Sequence, residues 1–163
     1  MFVNERVAFE TFMKKTLPSK GFVVKMKSER NKGRHLLVEA KSKDSDVYRY
    51  FYVIFKHEFL HSFNFLFKDF LKVHPELSGY GESINTDCAE YARRRDAAIV
   101  FIHEDESMYS ILADTLINIC SRNGLRRFQD RENFYDLKNF KKDRVAVSEE
   151  TFIIPLKLLE RFN

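Results

Sequence analysis

Apolar residues at the start of the chain recur close to helical spacing, at Phe2, Phe9, Phe12, Met13 and Leu17, behind Asn4, a residue that can cap a helix. Pro18 should close this helix, and "SKG" should turn the chain. The spacing then shifts. "GFVVKMKSE" and "RHLLVEAKSK" predict two strands joined as a hairpin by "NKG", and after the turn "KDSD" the β-branched and aromatic "VYRYFYV" predicts a third. From Val53 to Val73 the period lengthens again. At about 100° per residue, Phe55, Phe59, Phe63, Leu66, Phe67, Phe70 and Leu71 share one arc, with His57, His61, Asn64 and Lys68 along its edge. That spacing predicts a helix with an apolar stripe belonging to the core.

Pro75 and "SGYGES" predict a loop, and "NTDCAEYARRR" a helix capped by Asn85 or Thr86. "AAIVFI" is a continuous apolar run of the kind buried on both faces of a sheet. "MYSIL" predicts a short strand, and "ADTLINIC" a helix ended through Gly124. The segment "RRFQDRENFYDLKNFKKDR" is polar, dotted with aromatics, and carries no clear period. "TFIIPLKLLERF" predicts a strand as far as Pro155 and then a short helix. The expected fold is therefore α/β (α+β). It has a mixed sheet built on an antiparallel three-strand meander, a later buried strand reached by a helical crossover, and helices on the faces. At 163 residues, with no repeat or linker in the pattern, residues 1–163 are expected to form one domain.

Composition narrows the class. Seventeen Phe and seven Tyr against five Gly imply an aromatic interior, and a net charge of +4 is compatible with nucleic acid as a partner. The longest apolar run, "YFYVIF", is too short to cross a bilayer, and Glu5 and Arg6 interrupt the first residues before a secretory leader can form. Cys88 and Cys120 suggest no disulfide framework, so a reduced, cytoplasmic protein is expected, with no membrane partner. A homodimer is compatible with the sequence, which does not itself show one.

Two motifs carry chemistry. In "FKHEFLHSF", His57-Glu58-x-x-His61 matches the zinc-hydrolase signature. On a helix, imidazoles four residues apart reach one Zn²⁺ while the intervening Glu58 acts as general base. The flanks Phe59, Leu60, Ser62 and Phe63 resemble the extended pattern of the zincin metallopeptidases. A third ligand would come from Glu82 or Asp87, with His74 a weaker candidate. The plainer alternative is a pair of helix-edge histidines around a Glu that pairs with a nearby Lys.

The second motif is Glu39-x-Lys41 in "LLVEAKSK". Residues two apart in a strand share a face, so Glu39 and Lys41 project together while Leu36, Val38 and Ala40 face the other way. Such a pair can hold Mg²⁺ or Mn²⁺ and set an ammonium beside a phosphodiester. The ordered set of a helix bearing Glu10, "GFVV", "VEAKSK", "NTDCAEYARRR", "AAIVFI" and "MYSI" resembles the PD-(D/E)XK nuclease superfamily over about two thirds of the chain. The resemblance implies that Glu39 is a metal ligand and Lys41 the catalytic lysine. It also calls for a further acid on the preceding strand, where only Glu29 is present. A hairpin turning at Asn31-Lys32 would pair Glu29 with Arg34, leaving it about 17 Å along the strand from Glu39, so Glu10 or Asp46 would have to serve instead. The plainer alternative is an exposed charge pair at a strand end.

Basic residues gather on the first hairpin. Lys25 and Lys27 alternate along one face of its first strand, and Arg30, Lys32 and Arg34 crowd the turn, a set that can grip phosphates. Further runs occur at Arg93, Arg94 and Arg95 and at Arg126 and Arg127. Taken together these features favour a metal-dependent, nuclease-like protein acting on or binding nucleic acid. A zinc metallopeptidase and a non-catalytic nucleic-acid or protein-binding module are the alternatives.

Overall fold

The computed structural model of the chain describes residues 4–57, 62–77, 97–121 and 151–163. Helix α1 (Glu5–Thr11) starts where the Asn4 side chain accepts a hydrogen bond from the Val7 amide at 3.0 Å, which satisfies one of the free donors of the first turn. It runs through a π-helical turn (Phe12–Thr16), in which the Leu17 amide bonds Phe12 O, and into α2 (Leu17–Ser19). Pro18 thus sits inside the last turn, and the helix ends just past it, at Lys20 and Gly21 (φ +85°).

Strands β1 (Phe22–Arg30), β2 (His35–Ser42) and β3 (Tyr48–Lys56) form the expected antiparallel meander. The turn between β1 and β2 spans Asn31 to Arg34, with Asn31, Lys32 and Gly33 all at positive φ, and it pairs Arg30 with His35. Strand β4 (Ser62–Leu66) follows, then α3 (Phe67–Val73) and a 3₁₀ turn (Pro75–Leu77). After these come β5 (Ala98–His103), β6 (Met108–Leu112) and α4 (Ala113–Ser121). Strand β7 (Thr151–Pro155), a 3₁₀ turn (Leu156–Leu158) and the two-residue β8 (Glu160–Arg161) end the chain, so a turn and an edge strand stand where a terminal helix was expected.

The main sheet has the order β1-β2-β3-β5-β6-β8, with β3 and β5 parallel and every other neighbour antiparallel. β4 and β7 form a separate antiparallel pair. This is the α+β mixed sheet expected from the pattern. The expected crossover helix at 85–95 lies outside the described residues.

Two cores follow from strand alternation. On one face Ala8, Phe9, Phe12 and Leu17 pack on Leu36, Val38, Ala40, Phe51, Val53, Val100 and Ile102. On the other, Leu37, Tyr50, Tyr52, Ile54, Ile99 and Phe101 meet Phe70, Leu77, Leu116, Ile117, Phe63, Phe65 and Ile154. Residues 97–102 are all buried, as a central strand requires.

The single helix expected from Val53 to Val73 is not formed. Val53 to Lys56 complete β3, Ser62 to Leu66 make β4, and among the described residues of this stretch only Phe67 to Val73 are helical. The apolar arc is correspondingly split, because Phe55 packs with the N-terminal helix while Phe63 and Phe70 lie across the sheet and Leu66 is 47% exposed. A strand buried on both faces is apolar at every position, so a helical period can be read into it.

Candidate functional site

The register of β2 decides which acids can meet. Glu39 pairs with Met26 and Tyr50, and Lys41 with Val23 and Tyr48, so both belong to the face that carries Leu37. The two are half-buried and adjacent, as the alternation requires. Lys41 Nζ lies 3.7 Å from the carboxylate of Asp46, which is almost wholly exposed. Glu10, in contrast, projects from α1, the helix packed on the opposite face with Leu36, Val38 and Ala40. Its carboxylate bonds Lys14 one turn along at 2.6 Å, and that ammonium holds its pKa below the usual range. Glu10 and Glu39 are therefore separated by the thickness of the sheet.

Glu29 pairs with Leu36 rather than with Arg34, because the turn is longer than expected. That brings it closer along the strand but places it on the Leu36 face, again away from Glu39. Among the described residues no group of three His, Cys, Asp or Glu side chains is arranged to hold a metal ion. Among the described residues the donor set found around Glu39, one half-buried carboxylate with Asp46 beside Lys41, falls short of the Mg²⁺ or Mn²⁺ centre that the nuclease resemblance implies.

His57 emerges from the end of β3 rather than from a helix. Its Nδ1 donates to the Glu104 carboxylate at 2.5 Å, and its Nε2 lies 3.8 Å from Glu5. β3 ends at Lys56 and β4 begins at Ser62, so no described residue continues a helix that would bring His57 and His61 onto one Zn²⁺. Glu58, His61, Glu82 and Asp87 lie outside the described residues. His57 instead ties α1 to the turn between β5 and β6.

Four of the hairpin cations are exposed: Lys25, Lys27, Lys32 and Arg34. Lys25 sits in a register shift between Val24 and Met26, a bulge on the outermost strand. Arg30 is the exception, and the expectation that it grips phosphate is corrected. It turns inward, where Nη1 bonds both oxygens of Glu76 at 2.6 and 3.0 Å and shares its second hydrogen between Val73 O at 3.3 Å and His74 Nδ1 at 3.2 Å.

This arginine begins a polar chain that neither sequence motif contains. His74 is fully buried, and its Nε2 lies 3.0 Å from His35 Nδ1. An arginine has no acceptor, so His74 Nδ1 must accept from Arg30 and its only proton must be on Nε2. That proton is donated to His35 Nδ1, which in turn leaves the His35 proton on Nε2. One ion pair thus fixes the tautomer of two imidazoles. Burial is the main reason both rings stay neutral: it lowers His74 to about 2, with His35 and Arg30 adding to the effect, and His35 to about 4, with Lys56 adding. His74, weighed above as a zinc ligand, has both ring nitrogens engaged within this chain.

His35 opens onto a cleft of about 250 Å³ at the β1–β2 turn, lined by Asn31, Arg34, Lys56 and Asp69 among apolar side chains of β3, β4 and α3. Lys56, last residue of β3, donates to Asn64 O at 3.0 Å and has its Nζ 5.4 Å from the Phe63 ring centroid. Desolvation lowers its pKa to about 8. "KHEF" gave no hint of this, because the signal lies in Arg30, His35, His74 and Glu76, which are far apart in sequence. No family model matches the chain, and neither the curated proteins nor the solved structures include a match to it.

Proposed function

We propose that the chain is a nucleic-acid-binding protein of nuclease-like architecture, which grips the phosphate backbone with the outer edge of its first hairpin. The observation that carries this reading is the exposure of Lys25, Lys27, Lys32 and Arg34 along β1 and its turn, a segment in which Glu29 is the only acid. The order of helix, antiparallel meander and parallel β5 supports the nuclease-like half of the reading. The placement of Glu10 and Glu29 across the sheet from Glu39 favours binding over metal-dependent cleavage.

The test is titration of single- and double-stranded oligonucleotides at several salt concentrations. Four phosphate contacts predict a log–log salt slope of about −3 to −4, and Lys25→Gln with Lys27→Gln should make it shallower by about one to two. Binding that ignores salt would overturn the reading. Mg²⁺- or Mn²⁺-dependent cleavage lost in Glu39→Ala would replace it with an active nuclease.

A further inference from the structure

We infer that the cleft beside His35 seats the terminal phosphate of a nucleic-acid strand, an inference that rests on the binding reading above. Arg34 and Asn31 belong both to the basic turn and to the cleft wall, so a strand laid along the β1 edge is led to this opening. Inside, the available donors suit a phosphate monoester. Lys56 spends one hydrogen on Asn64 O and keeps two. His35 has Nδ1 committed to His74, so its remaining donor is Nε2–H, held in that tautomer by Arg30 and Glu76. Arg34 offers a planar fork that can bond two phosphate oxygens.

The walls favour an end group over a continuous backbone. Ile54, Phe55, Phe65 and Phe70 are buried around the cleft, making an apolar lining that offers nothing to a second phosphate. Removing water from this lining strengthens each charge-assisted bond at the mouth. Asp69, the one carboxylate among the described lining residues, opposes a dianion and is outnumbered by Arg34 and Lys56. Its place is suited to an amide or hydroxyl of the terminal nucleotide.

The experiment is calorimetric titration of one short single-stranded oligonucleotide carrying a phosphate on its 5′ end, its 3′ end or neither. Wild type should bind one of the phosphorylated strands about tenfold tighter than the unphosphorylated one. Lys56→Met should abolish that preference while leaving affinity for the unphosphorylated strand within about twofold, and His35→Gln should act likewise. Lys25→Gln with Lys27→Gln should weaken all three strands alike and keep the preference. No preference in wild type, with the lysine pair still mattering, would overturn the cleft assignment and leave the binding reading intact. Failure of every strand to bind would overturn both. Inorganic phosphate bound by wild type and lost in Lys56→Met, without strand binding, would also overturn both and identify the cleft as a site for free phosphate.

Discussion

At the scale of single residues, His74 is the position on which most depends. It is fully buried, touches Arg30 through one ring nitrogen and His35 through the other, and has its ring against Tyr52 and Phe70. His74→Ala would leave His35 Nδ1 without its donor, remove one acceptor of Arg30 and open a cavity, and should cost about 2–4 kcal/mol in chemical denaturation. The same residues predict a pH dependence. Because folding lowers the pKa of both histidines, the unfolded chain binds more protons below about 6.5, and stability should fall as pH drops from about 6.5 toward 4. The slope should approach about 1 kcal/mol per pH unit for each histidine, and His74→Gln, which does not titrate, should reduce it. Nitrogen-15 shifts should report the Nε2–H tautomer in both rings. None of this was legible in the sequence. Glu-x-Lys and His-Glu-x-x-His are visible because their members are adjacent in sequence, whereas Arg30 and Glu76 meet only once β2 has folded back and α3 has crossed over it.

At the scale of elements, local chemistry was a good guide wherever one face of an element differs from the other. Asn4, the "NKG" turn and the alternation in β1 and β2 could each be placed from sequence, because caps, positive-φ turns and half-buried strands leave distinct marks. The helical period misled at the end of β3, where Val53, Ile54 and Phe55 are buried on both faces and the alternation is erased, and at β4, where Phe63 to Leu66 alternate but are too few to outweigh the longer apolar arc around them. The hairpin register was also misplaced, since three consecutive residues at positive φ make a longer turn than the shortest one the sequence allows. Gly33 shows what the turn requires. At φ +84° a side chain is strained although open space surrounds the position, so Gly33→Ala should cost about 1 kcal/mol, measured as a shift in denaturation midpoint with an unchanged slope.

At the scale of the whole molecule, one sheet carries a core on each face, and the central strand β5 contributes Ala98, Val100 and Ile102 to one and Ile99 and Phe101 to the other. A defect in β5 therefore reaches both cores, whereas one in α1 reaches only one. The opposite case is the rim, where β1 ends the sheet order with Val23 41% and Met26 45% exposed. Such a strand is a template onto which another chain can add. The bulge at Lys25 breaks its regular ladder, and Lys25 and Lys27 set two like charges along it, so two copies meeting edge to edge would repel. Replacing both lysines with valine should raise light scattering on storage at neutral pH without lowering the denaturation midpoint. The charges read here as a grip on phosphate would then have a second duty that needs no ligand, keeping copies of the protein from joining edge to edge into fibres.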